Sequence, residues 1–135
     1  MEHAPTLLVV DDEPVIRASL ANALQEAGFN VIDSPTGEQA LEELATPGIA
    51  GIVTDIRLGA GLNGWDVARH ARRLHPRIAV LYITGDSAID WASEGVTASV
   101  MIQKPFAAAR IVTTVSDLLR GSERLPKGLP RAKRP

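Results

Sequence analysis

The 135-residue chain is 45% hydrophobic and 22% charged, with a formal net charge of −2 and no cysteine. This length and hydrophobic content are typical of one globular domain that buries its own core, and the absence of cysteine excludes disulfides and thiolate metal sites. No apolar run reaches the roughly 18 residues of a membrane span, and the first residues lack the regions of a signal peptide. We therefore expect a cytoplasmic protein with no membrane partner.

Short apolar runs alternate with helical patterns along the chain. The first predicted helix starts at Pro14, because proline suits a first helical position, and the second is capped by Thr36. The alternation predicts right-handed crossovers and a doubly wound parallel sheet of the α/β class. The predicted strands cover residues 7–10, 30–34, 49–54, 78–83 and 100–103, and the predicted helices cover 14–27, the segment from Thr36 to Pro47, 65–74, 88–92 and 107–119.

The last residues differ in composition from the rest of the chain. Residues 120–135 hold six Lys or Arg, one acid, three prolines and two glycines. Such a segment has too little apolar surface to offset its ordering entropy, so we predict a domain over residues 1–119 and a basic, disordered tail over 120–135. A solvated tail and an arm that binds nucleic acid or a partner both fit this composition. The tail is too short for a DNA-binding domain, and we expect none.

Reactive polar residues stand where four of the predicted strands end. Asp11 and Asp12 follow the first strand, Asp55 the third, Thr84 the fourth and Lys104 the fifth. Ligands in such folds bind beyond the carboxyl ends of the strands, so we expect these side chains to meet. The carboxylates suit Mg²⁺, a carboxylate between them can attack phosphorus, and a lysine and a hydroxyl can stabilise the charge on phosphoryl oxygens. Asp55, on a central strand, is the best candidate nucleophile.

These motifs, in this order, resemble those of the response-regulator receiver domain of two-component signalling. The resemblance covers residues 6–119 and implies a flavodoxin-like five-stranded parallel sheet in the order 2-1-3-4-5 with five helices. It also implies a phosphoacceptor domain that acts only on its own phosphorylation and dephosphorylation. The segments that carry the resemblance are Val9-Val10-Asp11-Asp12-Glu13-Pro14, Val53-Thr54-Asp55, Ile83-Thr84-Gly85 and Lys104-Pro105-Phe106.

The resemblance assigns a role to each residue of the set. Asp55 would accept the phosphoryl group from a histidine kinase or a histidine phosphotransfer protein. Asp12, Asp55 and the backbone carbonyl of Arg57 would bind Mg²⁺, with Asp11 acting through a bound water. Thr84 and Lys104 would bind the phosphoryl oxygens, and the peptide bond between Lys104 and Pro105 would be cis.

Two features depart from the family pattern. Receiver domains often carry an aromatic switch residue three positions before the lysine, and here that position is Met101. The stretch between Thr84 and Lys104 is also shorter than usual, which predicts a short or irregular fourth helix. Both features leave the output open: an unknown downstream protein, a homodimer, a phosphate shuttle or sink, or a receiver within a larger hybrid kinase. A receiver-like binding module without a phosphorylation-driven switch is the second hypothesis.

A glycine-rich loop supports a rival interpretation. Gly59, Gly61 and Gly64 match the G-x-G-x-x-G pattern of dinucleotide-binding domains, and Asp86 lies about 20 residues further on. The nearby Asp55 would repel a pyrophosphate, which weighs against nucleotide binding. A Mg²⁺-dependent phosphatase would want a second acid where Arg57 stands. We also expect Arg57 and Asp86 either to pair over the mouth of the phosphoryl site or to remain two solvated charges.

Overall fold

The structure, a computed structural model, describes residues 4–85 and 90–124. Strands and helices alternate from end to end of these ranges, which confirms the predicted α/β class. In chain order the elements are β1 (Thr6–Val10), α1 (Pro14–Glu26), β2 (Asn30–Ser34), α2 (Gly37–Glu43), β3 (Ile49–Asp55), α3 (Gly64–Leu74), β4 (Ala79–Thr84), α4 (Trp91–Glu94), β5 (Val100–Gln103) and α5 (Ala108–Arg124).

The five strands form one parallel sheet in the order β2-β1-β3-β4-β5. This is the predicted flavodoxin-like order. The chain reverses its direction of winding at β1 and β3, which lie side by side at the centre of the sheet. The carboxyl ends of β1 and β3 therefore flank the crevice where such sheets place their ligands.

Helices cover both faces of the sheet, so the central strands are apolar on both sides. On one face, Leu8 of β1 and Tyr82 of β4 pack with Val67 and Ala68 of α3. On the other face, the alternate residues of the same strands pack against α1 and α5. Residues of β4 from Ala79 to Thr84 are all buried, which explains why this strand reads as a continuous apolar run.

Local signals set several helix ends. Pro14 occupies the start of α1, and the Thr36 side chain accepts a hydrogen bond from the Gln39 N–H at the start of α2. Asn63 caps α3 in a reciprocal capping box with Asp66, which the sequence interpretation overlooked. Gly28, just after α1, has φ +101°, a backbone conformation that glycine adopts without a steric penalty.

The last two helices differ from expectation in their bounds. The fourth is short, as predicted, and occupies Trp91–Glu94 within the described ranges. The fifth continues to Arg124, five residues beyond its predicted end, so the first part of the basic segment is helical. An ion pair between Arg120 and Asp117 spans one turn across the predicted boundary. The predictions for residues 125–135 and for Asp86 lie outside the described residues.

Over residues 4–85 and 90–124, none of the helices combines the length and the apolar character needed to cross a membrane.

Candidate functional site

Asp55 lies at the end of β3, with only 5% of its surface exposed. Both of its carboxylate oxygens have partners. Lys104 Nζ donates to Oδ2 at 3.0 Å, and the backbone N–H of Arg57 donates to Oδ1 at 3.4 Å. The carboxylate is therefore held in one orientation at the carboxyl edge of the sheet.

Three further carboxylates lie around Asp55. Oxygen atoms of Asp11, Asp12, Glu13 and Asp55 all fall within 4.8 Å of one another. Asp11 and Asp55 are buried, whereas Asp12 and Glu13 are exposed. The structure thus brings together the three predicted acids and adds Glu13. Glu13 directly follows the predicted acidic pair, so treating the three acids as one run would have found it.

Lys104 is the cation of this cluster. Its Nζ lies 3.0 Å from Asp55 Oδ2, 3.2 Å from Glu13 Oε1 and 3.7 Å from Asp11 Oδ2. Partial burial by itself lowers the pKa of Lys104, but the hydrogen bond and the charge of Asp55, with the charge of Asp11, outweigh burial and raise it. Lys104 therefore stays protonated and can donate to an anionic group near Asp55.

Asp11 is the least satisfied member of the cluster. Burial, as the largest cause, raises its pKa to about 6; the Asp55 charge acts in the same direction, while the Glu13 N–H and Lys104 oppose it. Its Oδ1 accepts the Glu13 N–H at 2.9 Å. Its Oδ2 is buried and has no hydrogen-bond partner among the described residues. A buried carboxylate oxygen without a partner is costly unless a cation binds it.

The cluster has the donor set of a hard divalent cation. All of its nearby ligands are carboxylate oxygens, and two of the four side chains are exposed enough to leave room for water. Lys104 Nζ lies 3.7 Å from Asp11 Oδ2, beyond hydrogen-bond distance, so a divalent cation bound directly to this oxygen would satisfy it and would reduce the repulsion between the carboxylates. The residues present therefore fit a metal ion.

Thr84 and Arg57 also lie at this edge. Thr84 ends β4 with 1% exposure, and its carbonyl accepts the Lys104 N–H at 2.7 Å, which ties the Thr84 and Lys104 backbones together. The Lys104–Pro105 bond is cis, as predicted. Arg57, two residues after Asp55, is exposed. The role of its backbone carbonyl as a metal ligand stays a prediction. Its predicted partner Asp86 lies outside the described residues.

Arg17 of α1 supports the acidic turn and was not identified from the sequence. Its guanidinium donates to the Asp11 carbonyl at 2.9 Å and pairs with Asp33 of β2 at 3.4 Å. Arg17 therefore fixes the backbone that carries the acidic pair. Arg17 lies one helical turn after Glu13. The sequence alone does not distinguish it from an ordinary surface arginine.

The glycine loop after Asp55 has structural roles that account for its pattern. Gly59 and Gly61 have φ of +81° and +101°, which favours glycine. Glu38 of α2 accepts the Leu62 N–H at 3.1 Å, and its carboxylate lies where a side chain on Gly61 would be. A carboxylate in this place repels a phosphate, so the geometry weighs against the dinucleotide interpretation.

Removing the charge of Asp11 should stabilise the metal-free protein in a pH-dependent way. Because the folded-state pKa is raised from 3.8 to about 6, the wild-type protein loses stability as pH rises through this interval. At about pH 7.5, Asp11→Asn should gain about 2 kcal/mol in unfolding free energy. Thermal unfolding in chelator between about pH 4 and pH 8 measures this gain.

The control for this prediction is Glu26→Gln, which removes one negative charge at an exposed position of α1. Its stability difference from wild type should stay within about 0.5 kcal/mol at every pH. A difference for Asp11→Asn that does not grow between pH 4 and pH 7 would contradict the assigned cause.

Comparison with known proteins identifies the family. The response regulator receiver domain matches residues 7–116, which is most of the chain. The chain therefore belongs to the receiver domain family of two-component response regulators, as the sequence motifs predicted.

Individual relatives agree with this assignment. A response regulator receiver protein from Sinorhizobium medicae WSM419 superposes with a TM-score of 0.85 at 41% identity, covering 88% of this chain and 97% of its own. The receiver domain of NtrX from Brucella abortus gives a TM-score of 0.75 at 28% identity, covering 84% and 98%. The probable transcriptional regulatory protein TcrX of Mycobacterium tuberculosis is 32% identical over 85% of this chain.

The curated relatives are longer than this chain. The match covers 50% of TcrX, 31% of the C4-dicarboxylate transport transcriptional regulatory protein DctD of Rhizobium meliloti, and 13% of the sensor kinase CckA of Brucella abortus. The chain thus spans at most about half the length of these relatives. Receiver segments of this kind occur both in regulators and in kinases.

Proposed function

We propose that this receiver domain accepts a phosphoryl group on Asp55 in the presence of Mg²⁺. The observation that carries the proposal is the position of the Asp55 carboxylate, with Lys104 Nζ 3.0 Å from one oxygen and the other acids within 4.8 Å. One carboxylate is thus placed beside both a cation that can bind a phosphoryl oxygen and a cluster that can bind a metal. This combination suits phosphoryl transfer better than either feature alone.

The phosphodonor is a phosphohistidine of a histidine kinase or a histidine phosphotransfer protein. An Asp55 oxygen attacks phosphorus, the bond between phosphorus and the imidazole nitrogen breaks, and the imidazole keeps the electron pair and takes up a proton. Lys104 pairs with one phosphoryl oxygen and the Thr84 hydroxyl donates to another. Mg²⁺ would be held by Asp11, Asp12, Asp55 and the Arg57 carbonyl, and when bound it would offset the negative charge of the carboxylates and the phosphoryl group.

The remaining expectations belong to this proposal. The protein is a phosphoacceptor that acts on itself, not an enzyme with a separate substrate, and it works in the cytoplasm. It passes its signal to a downstream protein, or passes the phosphoryl group on. The occurrence of similar segments in a sensor kinase and in transcriptional regulators supports a place in a series of phosphotransfer proteins.

Incubation of the purified protein with acetyl phosphate and Mg²⁺ tests the proposal. Intact-mass analysis should show one added phosphoryl group, and replacement of Mg²⁺ by a chelator should reduce the labelled fraction by at least about tenfold. A known receiver labelled in parallel serves as the positive control. An unchanged mass under conditions that label this control would refute the proposed function.

The binding-module alternative rests on Met101, which is partly buried on β5 and packs against the core beside Tyr82. The position at which receiver domains often carry an aromatic switch residue therefore has no ring in this chain. This observation bears on how phosphorylation is read and does not bear on whether Asp55 accepts a phosphoryl group.

A further inference from the structure

The short segment that precedes β5, residues 95–99, is fixed by side chains from three different elements. We call it the approach segment. The Tyr82 hydroxyl accepts the Val96 N–H at 3.1 Å, and Arg72 of α3 donates to the Thr97 carbonyl at 2.6 Å. Ser99 Oγ donates to the Val96 carbonyl at 2.6 Å and accepts the Trp91 indole N–H at 2.9 Å. The approach segment therefore has few ways to move unless these contacts change.

Among these contacts, the one from Tyr82 leads back to the candidate phosphoryl site. Tyr82 lies on β4 two residues before Thr84, so the two side chains lie on the same face of the sheet. The Tyr82 side chain is fully buried, and its ring meets Trp65 edge-on with a centroid distance of 4.6 Å. Tyr82 and Thr84 share the backbone of β4. A displacement of this strand at Thr84 would therefore also move the Tyr82 hydroxyl, which holds the approach segment.

Met101 cannot supply the same link. It pairs with Tyr82 across the ladder between β4 and β5, but a thioether is only a weak hydrogen-bond acceptor. Its contacts with the core are apolar and adaptable. Among the described strand residues on this face of the sheet, the aromatic residue that hydrogen-bonds the approach segment is Tyr82 on β4, one strand away from position 101 on β5.

We propose that Tyr82 is the positioning residue that couples Thr84 to the approach segment, in place of an aromatic residue at position 101. The proposal rests on the proposed function, because it concerns how phosphorylation of Asp55 is read. The Tyr82 hydroxyl fixes the Val96 amide, and Ser99 and Trp91 extend this constraint to α4. A change at Thr84 therefore alters the position of Trp91.

Trp91 provides the readout without any added label. The chain has two tryptophans, and the other, Trp65, can be replaced by phenylalanine, which keeps an aromatic ring beside Tyr82. In this Trp65→Phe background, the emission of Trp91 is recorded with Mg²⁺ before and after addition of beryllofluoride, a phosphoryl mimic. Phosphorylation by acetyl phosphate is followed in parallel by intact mass.

The decisive variant is Tyr82→Phe, which removes the hydroxyl and keeps the ring. It should be labelled by acetyl phosphate to the same extent as its background, because the hydroxyl that is removed bonds the Val96 amide and is not part of the Asp55 cluster. The beryllofluoride-induced change in Trp91 emission should fall about fivefold, as expected when one ordinary hydrogen bond no longer biases a two-state segment. A purely structural role would leave this induced change intact in the folded variant.

Met101→Leu is the matched comparison at the paired position on β5. It should retain the Trp91 response if Tyr82 is the coupling residue. A full response in Tyr82→Phe, a response lost only in Met101→Leu, or a background protein that is phosphorylated without any change at Trp91 would each overturn the proposal. Failure of the background protein to accept the phosphoryl group refutes the proposed function itself, and the two failures are thereby distinguished.

Discussion

Replacement of Asp55 by asparagine is expected to abolish the labelling of the protein by acetyl phosphate. The asparagine amide has nearly the same shape but is not a nucleophile towards phosphorus. Lys104 would still pair with Glu13 and Asp11, whose oxygens lie 3.2 and 3.7 Å from its Nζ, so the local fold should survive. Intact mass should show at least about a hundredfold less phosphoprotein than for wild type, with an unchanged far-ultraviolet circular dichroism spectrum.

Asp117→Asn is the control for this experiment. Asp117 is an exposed carboxylate of α5 that pairs with Arg120 and lies outside the acidic cluster. The Asp117→Asn variant should be labelled like wild type. Equal labelling of the Asp55→Asn variant would instead place the acceptor on another carboxylate, with the exposed Asp12 as the first residue to examine by peptide mapping.

Replacement of Gly64 by alanine should have the largest effect on folding. An added Cβ would overlap the Asp55 carbonyl oxygen and lie 2.8 Å from Ile56 Cα and 3.0 Å from the Asp55 carbonyl carbon. These are backbone atoms, so α3 or the end of β3 must move. We expect a loss of about 3 kcal/mol in unfolding free energy by urea titration. The labelling of Asp55 should fall as well, because the displaced backbone carries the proposed nucleophile.

Gly121→Ala is the matched control, because Gly121 lies within α5 and a Cβ there would meet no atom within 4 Å. Alanine should stabilise this helix by about 0.5–1 kcal/mol. The two glycine substitutions are therefore expected to have opposite signs. Destabilisation of similar size at both positions would show that the close approach at Gly64 is not the cause.

The fold followed closely from the sequence because its signals are local and repeated. Apolar runs predicted β2 and β5 to the residue and the other strands to within one residue. The predicted end of α5 was wrong. It was placed where the proline and charge content of the sequence changes, whereas the helix continues past Arg120, whose side chain pairs with Asp117 one turn earlier. Composition therefore did not locate the end of the helix.

The central parts of the site were also predictable, since parallel strands bring Asp11, Asp55, Thr84 and Lys104 to one edge whatever the details of packing. The supporting contacts were not predictable. The contact of Arg17 with the Asp11 carbonyl, and that of Glu38 with the glycine loop, depend on how separate helices meet the strand ends. The hydrogen bond between the Val96 amide and the Tyr82 hydroxyl depends on where the approach segment lies relative to β4. The spacing of residues in the sequence does not predict this position.

The length of α5 has a practical consequence. The helix starts at Ala108, shortly after Lys104 of the candidate phosphoryl site. Its Leu119 lies next to Pro5, Ile49 and Ile78, at the opposite edge of the sheet. Seventeen residues of helix span about 25 Å. The chain therefore leaves the described domain far from Asp55. Attachment to a sensor surface at this end of α5 would leave the candidate phosphoryl site facing the solution, so that binding of a candidate kinase could be measured without steric interference from the support.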